Sequence, residues 1–371
     1  MTAAVVWVQH LLGTGHTVRA AALARALARE GVDVTLVLGA RAPATLDIRG
    51  LQTVELPPVT ATDASFRTIV GEDGTPYEAL APIRARAFAE TVARVRPRIV
   101  VTETFPLGRR RFADEIVPVL SGLPAGTLVA ASVRDVLVRK GPRKEREMAA
   151  LARAWFRLVL VHADPAFVRL EDSFGATGEI AHLVRYTGFL REVTPVAPEA
   201  AEGSGEIVVS AGGGAVGAPL VEAAMGAARL VPGRRWRILV APGLCGRLDG
   251  WRDSAPAGVV LEPNRPDFRQ LLARAALSVS QAGYNTVLDV LEAGVRAILV
   301  PFAAHEETEQ TARAVALEQR GLATRLDEAA LTPGALAAAV DAALRAPPPA
   351  RPSLDVCGAA HSAAILLEAA R

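Results

Sequence analysis

The chain has 371 residues, of which 51% are hydrophobic and 22% charged, enough to bury two cores of domain size. Its 41 Lys and Arg against 39 Asp and Glu give a formal charge of only +2, which argues against a nucleic-acid-binding protein. Two cysteines, Cys245 and Cys357, offer neither a disulfide framework nor a metal-ligand spacing, as expected in a reducing compartment.

The first residues predict a buried strand and no targeting signal. The stretch "MTAAVVWVQHLLGTGH" lacks a basic leader, and its apolar run at 3–8 is far below the roughly 20 residues that span a bilayer. No long amphipathic basic helix stands out, so membrane contact is not indicated. We therefore expect a cytoplasmic protein.

Apolar runs of strand length alternate with Ala-rich helical stretches, which is typical of parallel sheets with helices on both faces. In the first half a helix is predicted at 17–29, with strands at 3–9, 32–39, 98–103, 126–133, 158–162 and 186–190. The second half predicts strands at 206–210, 237–241, 259–262, 277–280 and 297–302, with helices at 218–231, 267–275, 284–293 and 307–320.

The sequence therefore predicts an α/β protein of two similar domains. A stretch rich in Pro, Ala and Glu at 193–204 is interpreted as a linker between domains at 1–192 and 205–350. A last helix within 353–371 has no strand partner, and we expect it to pack back on the first domain. Ligands of open parallel sheets bind at the carboxyl ends of the strands, so a cleft between facing strand ends is expected.

The first strand-end loop carries Gly13, Gly15 and His16 ahead of a helix. Such a turn admits a polar or anionic group close to backbone N–H groups. It lacks the third glycine of a dinucleotide fingerprint. The simpler interpretation of His16 is a helix-start residue bonded to backbone, and the alternative is a polar role in the cleft.

The loop "VVSAGGGAVGAPL" carries Gly212, Gly213 and Gly214 between a strand and a helix. Successive backbone N–H groups there form a nest for phosphate, although three glycines in a tight turn are the simpler interpretation. Without a following Lys and Ser or Thr, the loop is not a P-loop.

Two later strand-end loops are rich in polar groups. The stretch "SQAGYNTVLDVLEAGVRAILVPF" presents a turn and the first turn of a helix, and the next loop, "PFAAHEETEQTARA", starts another helix. A carboxylate on the first of these helices accepts two hydrogen bonds from vicinal sugar hydroxyls, whereas Glu and Gln at a helix start also serve as caps. The candidates for ligand contact are Gln281, Gly283, Asn285, Thr286, Asp289, His305, Glu309 and Gln310.

These residues resemble the carboxyl-terminal domain of MurG-like nucleotide-sugar glycosyltransferases of the GT-B fold. The resemblance covers about 206–344 and includes the Gly212–Gly214 loop and "HEETEQTARAVALEQRG". It implies two Rossmann-like domains around a cleft, with a nucleoside diphosphate sugar bound mainly by the second, and it suggests uridine as the base of that nucleotide. Phrases of the first half, "TETFPLGRRRF", "ASVRD" and "VHADP", resemble a less studied branch of predicted bacterial glycosyltransferases.

The resemblance also assigns individual residues. Asp289 stands where the family has a ribose-binding Glu, and Glu309 with Gln310 where it has paired Gln residues on the donor sugar. Gly283 and Thr286 match the turn beside the diphosphate. Because Asp is shorter than Glu and Glu309 replaces a neutral Gln, the donor sugar stays open, with UDP-N-acetylglucosamine as the example.

The residues indicate a metal-independent, inverting transfer with no cofactor beyond the nucleotide sugar. There is no Asp-x-Asp motif, and helix N-termini with glycine-loop amides stabilise a departing diphosphate. His16 is the candidate base because its ordinary pKa near 6.5 keeps neutral imidazole available, and Glu103 is either the base or the group that orients the imidazole.

Besides Gly13 and Gly15 of the first strand-end loop, three further residues are candidates for acceptor contact. Arg134 and Asp135 follow a strand and either open to the cleft or form an ion pair that closes a loop. Arg109 begins a run of three arginines that either is a solvated helix face or attracts an anionic acceptor. The acceptor is unidentified. The same loops also fit a nucleotide-sugar hydrolase or epimerase, or a nucleotide-sugar binding protein without catalysis.

Overall fold

The chain divides into two compact units. Unit 1 comprises Met1–Glu192 together with Leu354–Arg371, and unit 2 comprises Val193–Ser353. A computed structural model describes residues 2–11, 15–42, 46, 48, 50–62, 68–190, 203–212, 216–303, 308–350 and 353–371. None of the helices in these ranges is long and apolar enough to cross a membrane.

Unit 1 is built on a parallel sheet of seven strands. They are β1 (Ala3–Val8), β2 (Asp33–Leu38), β3 (Gln52–Glu55), β6 (Ile99–Glu103), β7 (Leu128–Arg134), β8 (Leu158–His162) and β9 (Val184–Tyr186). Their order in the sheet is β3-β2-β1-β6-β7-β8-β9. A separate antiparallel pair is formed by β4 (Val59–Ala61) and β5 (Ile69–Gly71). The prediction of an α/β fold with parallel sheets is confirmed.

The central strands are buried on both faces because helices cover both sides of the sheet, and their sequences are therefore unbroken apolar runs. The helices of unit 1 in its first 192 residues are α1 (Gly15–Arg29), α2 (Tyr77–Val95), α3 (Ala113–Ser121), α4 (Pro142–Trp155) and α5 (Thr177–Ile180).

Unit 2 repeats this architecture with a parallel sheet of six strands. They are β10 (Ile207–Ser210), β11 (Trp236–Val240), β12 (Val259–Pro263), β13 (Leu277–Ser280), β14 (Ala297–Leu299) and β15 (Thr324–Arg325), in the order β12-β11-β10-β13-β14-β15. Its helices are α6 (Ala218–Leu230), α7 (Leu248–Ser254), α8 (Phe268–Arg274), α9 (Tyr284–Ala293), α10 (Glu309–Glu318) and α11 (Pro333–Arg345).

The last helix, α12 (Gly358–Ala369), packs into the core of unit 1. Leu366 is fully buried there, and α12 lies against α1. Before the helix, Asp355 lies beside Gly188, whose φ of +78° is left-handed and where a Cβ would stand 2.4 Å from the Asp355 carboxyl carbon. A glycine is therefore required at this junction.

The sequence predictions placed one strand wrongly and missed four others, β3, β4, β5 and β15. The strand expected at 186–190 is wrong in position, because β9 ends at Tyr186 and Leu190 instead bridges to Cys357. The edge strand β3 was missed, since three of its four residues are exposed and it has no apolar run.

Candidate active site

The carboxyl ends of three neighbouring strands of unit 1 bring buried polar side chains together. Glu103 ends β6, Ser132 lies near the end of β7 and His162 ends β8. His16 is the second residue of α1, and Arg19 follows one helical turn later. With Thr104, these six residues form what we call the Glu103 cluster.

Both oxygens of the Glu103 carboxylate accept hydrogen bonds. Oε1 accepts from Arg19 Nη2 at 2.6 Å and Nε at 3.2 Å, and Oε2 accepts from Ser132 Oγ at 2.5 Å. Burial by itself raises the pKa of Glu103, but the Arg19 charge and the hydrogen bonds of His16 and Ser132 together hold it well below its usual range. The carboxylate is therefore ionised at neutral pH.

The His16 ring meets three partners at Nδ1. Glu103 Oε1 lies at 3.3 Å, Arg19 Nη2 at 3.1 Å and Thr104 Oγ1 at 3.1 Å. Burial and the charge of Arg109 lower the pKa of His16 well below 6.5 against the effect of Glu103, so the ring is neutral at pH 7. When Nδ1 carries the proton, it donates to Glu103; when Nε2 carries it, Nδ1 accepts from Arg19.

The other candidate residues of the first half differ in burial and position. Asp135 is fully buried, and the apolar Val136 and Leu137 that follow it are buried as well, so its contact with an acceptor stays a prediction. Arg134 is half-buried. Gly15 is the first residue of α1, whereas Gly13 lies outside the described residues.

Arg109 lies in unit 1 with a left-handed φ of 53° and donates from Nε to the Gln9 carbonyl at 3.1 Å. Burial lowers the pKa of Arg109 to about 10, which leaves it cationic at neutral pH. The two arginines that follow it are in ion pairs, Arg110 with Glu147 at 2.8 Å and Arg111 with Glu78 at 2.6 Å.

In unit 2, the turn after β10 depends on glycine at two positions. Gly212 has a left-handed φ of +72°, and its carbonyl accepts from Asn264 Nδ2 at 2.8 Å. Gly217 precedes α6, and a Cβ there would stand 1.9 Å from the Ala211 Cβ, so only glycine permits this approach. Gly213 and Gly214 lie outside the described residues.

The turn between β13 and α9 precedes a helix whose first residues lie at a strand end of unit 2. Gln281 is buried, and Gly283 is the N-cap of α9 with a φ of −64° that any residue adopts. Within the described chain no side chain caps this helix. A Cβ at Gly283 would meet its nearest atom, Thr286 Oγ1, only at 3.9 Å, so the glycine is not required by the backbone and keeps the helix start open. Asn285 is exposed.

Asp289 lies on α9 opposite Arg269 of α8. Its Oδ1 is 3.2 Å from Arg269 Nε, and the same guanidinium contacts Glu292 at 3.1 Å. Burial raises the pKa of Asp289 to about 7 although the Arg269 charge opposes the shift. A neighbouring Glu292 adds to the rise.

Gln310, in the first turn of α10, joins two strand-end turns. Its Oε1 accepts from the backbone N–H of Ala282 at 3.0 Å and of Phe302 at 3.1 Å. Because both partners are N–H donors, the oxygen must face them and the amide group keeps its two hydrogens for other acceptors. Glu309 is buried, and His305 lies outside the described residues.

Sequence reasoning missed several residues of these sites. Arg19, Thr104, Ser132 and His162 complete the Glu103 cluster, and in unit 2 the buried Arg313 donates from Nη1 to the Ala282 carbonyl at 2.5 Å. The available signals were the spacing of His16 and Arg19, three residues apart on a helix, and the position of Thr104 directly after Glu103. The contacts of Ser132 with Glu103 and His162, and of Arg313 with Ala282, join residues 29 to 31 positions apart in the chain.

The fold of the whole chain is that of GT-B glycosyltransferases. The structure of Arabidopsis thaliana UGT89C1 matches with a TM-score of 0.68 at 13% identity, covering 99% of each chain. The glycosyltransferase VinC in complex with dTDP matches with a TM-score of 0.64 at 14% identity, covering 100% of this chain and 99% of that one. Acinetobacter baumannii MurG matches at 0.60 and 17% identity, over 99% of this chain and 100% of that one.

Within this fold class, residues 260–355 match the glycosyltransferase family 28 C-terminal domain. A distant homologue is the UDP-N-acetylglucosamine–N-acetylmuramyl-(pentapeptide) pyrophosphoryl-undecaprenol N-acetylglucosamine transferase of Acidiphilium cryptum, 37% identical over 124 residues. That match spans 32% of this chain and about a third, 33%, of the relative. The family 28 segment contains Gly283, Asp289 and Gln310.

Proposed function

We propose that the protein is an inverting glycosyltransferase that moves a sugar from a nucleoside diphosphate sugar, with UDP-N-acetylglucosamine as the first candidate, to an acceptor. The observation that carries the proposal is the family 28 domain at 260–355, whose turns hold the open helix start at Gly283, Asp289 and the amide of Gln310. The name of the Acidiphilium cryptum relative supports the choice of donor.

The donor is proposed to bind unit 2 through three contacts. The diphosphate accepts hydrogen bonds from the N–H groups at the start of α9, where Gly283 has no side chain and the helix dipole favours negative charge. Asp289 accepts from the ribose hydroxyls. The amide hydrogens of Gln310 donate to a sugar hydroxyl, since its Oε1 is already bonded to Ala282 and Phe302.

The chemical step is proposed to use His16 as base. The acceptor oxygen attacks the anomeric carbon, the bond from that carbon to the diphosphate oxygen breaks, and the acceptor proton passes to His16 Nε2. This requires the tautomer with the proton on Nδ1, facing Glu103 Oε1 at 3.3 Å. Ionised Glu103 then stabilises the imidazolium that forms, and the start of α9 stabilises the leaving diphosphate.

Nucleotide binding tests the proposed donor site in unit 2. We expect a thermal-shift screen of UDP, GDP and TDP and their sugars to single out one nucleotide, and Asp289→Ala to weaken its binding by about 1–3 kcal/mol in calorimetry. His16→Ala serves as the matched control, because it should bind the nucleotide like the parent. No binding of any nucleotide at millimolar concentration would refute the proposal.

Turnover tests the chemical part. We expect His16→Ala to lose most of the sugar transfer of the parent while keeping nucleotide affinity, and equal activity would remove His16 as the base. Incubation with UDP-N-acetylglucosamine alone separates the other activities of this fold. Rapid release of free sugar would identify a hydrolase, a changed sugar an epimerase, and binding without consumption under any acceptor a binding protein.

A further inference from the structure

A chain of buried hydrogen bonds continues from Glu103 away from His16. Ser132 Oγ lies 2.5 Å from Glu103 Oε2 and 2.8 Å from His162 Nε2. His162 Nδ1 in turn lies 2.9 Å from Thr187 Oγ1. All four side chains are at most 1% exposed, so each polar atom depends on its protein partners.

The direction of the protons along this chain of hydrogen bonds is fixed at its Glu103 end. Glu103 is held ionised by Arg19, so its Oε2 only accepts, and the single hydroxyl hydrogen of Ser132 must point to it. Ser132 Oγ then accepts from His162, which must carry its proton on Nε2. Because burial lowers the pKa of His162 to about 4, the ring is neutral at pH 7 and Nδ1 accepts from the Thr187 hydroxyl.

The reverse order is disfavoured by the same carboxylate. Thr187 Oγ1 also lies 2.9 Å from the Gly188 carbonyl, and a hydroxyl turned there would accept from His162 Nδ1–H. Ser132 would then donate to His162 Nε2, and a 2.5 Å contact with ionised Glu103 would be left without a hydrogen. Two oxygens this close without a proton between them repel each other.

We propose that Ser132 and His162 are positioning residues that hold Glu103 Oε2 and so keep Oε1 turned to Arg19 and to a proton on His16 Nδ1. This inference rests on the proposed function for the role of His16, because only the Nδ1–H tautomer leaves Nε2 as a base. Neither positioning residue contacts the reacting atoms. Their effect on the reaction passes through Glu103.

Nitrogen-15 NMR of the histidine rings in the full chain at pH 7 tests the inference without an acceptor. The chain has six histidines. The ring signals of His16 and His162 are assigned from the signals that disappear in His16→Gln and His162→Gln. We expect Nε2–H on His162 and Nδ1–H on His16 in the parent. In Ser132→Ala the ratio of Nδ1–H to Nε2–H on His16 should fall about tenfold, the scale of one hydrogen bond to a charged group.

Two further variants distinguish the loss of the Ser132 hydroxyl from a general disturbance of the surrounding structure. Ser132→Thr keeps the hydroxyl and should restore the parental signals of both rings. Thr187→Val tests the direction of the protons independently of Ser132→Ala, so the inference stays testable if Ser132→Ala does not fold. In Thr187→Val, His162 should remain protonated on Nε2. A parent with His162 protonated on Nδ1, or a folded Ser132→Ala with unchanged His16 signals, overturns the inference. Absence of sugar transfer with the expected signals would instead count against the proposed function alone.

Discussion

Two carboxyl groups, the buried Glu103 and the half-buried Asp289, show how neighbours decide protonation. Arg19 and Ser132 bond both oxygens of Glu103, so its pKa lies well below the usual range in spite of burial. Asp289 has an Arg269 contact of 3.2 Å with Glu292 beside it, and burial raises its pKa to about 7. The same chemical group is therefore a fixed anion in unit 1 and half-protonated near neutral pH in unit 2.

The raised pKa of Asp289 gives a pH dependence of stability with a defined sign. Between about pH 4 and pH 7, Asp289 keeps a proton in the folded state that it releases in the unfolded chain. The stability that protonated Asp289 contributes is therefore fully present below pH 3.8 and is lost as pH rises through about 7. We expect Asp289→Asn, which stays neutral, to be more stable relative to the parent at pH 8 than at pH 5 in urea unfolding.

The control for this comparison is Asn285→Ser, a change between neutral residues at an exposed position of the same helix. Its difference from the parent should be the same at both pH values. If the Asp289→Asn difference is also the same at pH 5 and pH 8, the pKa of Asp289 is not raised in the folded protein.

At the scale of elements, Gln310 links α10 to the turns after β13 and β14. Gln310→Met leaves the N–H groups of Ala282 and Phe302 without their acceptor, and we expect a loss of about 1–3 kcal/mol in the free energy of unfolding. Gln310→Glu keeps an oxygen at this position, so its loss should be clearly smaller. Equal losses for the two variants would show that the Oε1 bonds do not stabilise the turns.

Gln310→Glu also separates the stability of the turns from donor binding. Gln310→Glu lacks the amide hydrogens that the proposed function assigns to a sugar hydroxyl. Calorimetry should therefore show weaker binding of the complete nucleotide sugar but unchanged binding of the nucleoside diphosphate alone.

At the scale of the whole molecule, the two units have separate cores, and the end of the chain belongs to the first. Leu366 of α12 is fully buried with residues of α1 and β1 in the core of unit 1. We expect Leu366→Ala to cost about 2–5 kcal/mol, the range for a buried leucine. Hydrogen exchange measured by mass spectrometry should accelerate in peptides from 2–190 and leave those from 203–350 unchanged.

Leu230→Ala is the matched control for this prediction, because Leu230 is 57% exposed on α6 of unit 2. It should change exchange in neither unit by a comparable amount. Faster exchange of unit 2 peptides in Leu366→Ala would mean that the two units unfold together.

How far the sequence predicted the site depends on the kind of residue. His16 and Glu103 were found because a polar side chain after a buried apolar strand is conspicuous, and the structure places them 3.3 Å apart. Asp135 has the same sequence signature and proved to be buried. Ser132 was missed because a small hydroxyl within an apolar strand reads as an ordinary core residue.

The sequence by itself determined the class of fold and the strand ends that carry polar groups. Strands covered on both faces are nearly continuous apolar runs, and such runs can be recognised directly in the sequence. Only the tertiary structure decided which polar groups meet: Arg19 and Ser132 reach Glu103 across 84 and 29 positions of the chain, and His162 reaches Ser132 across 30. Hydrogen-bond partners and burial depend on distances in space, and these distances cannot be read from residues that are adjacent in the sequence.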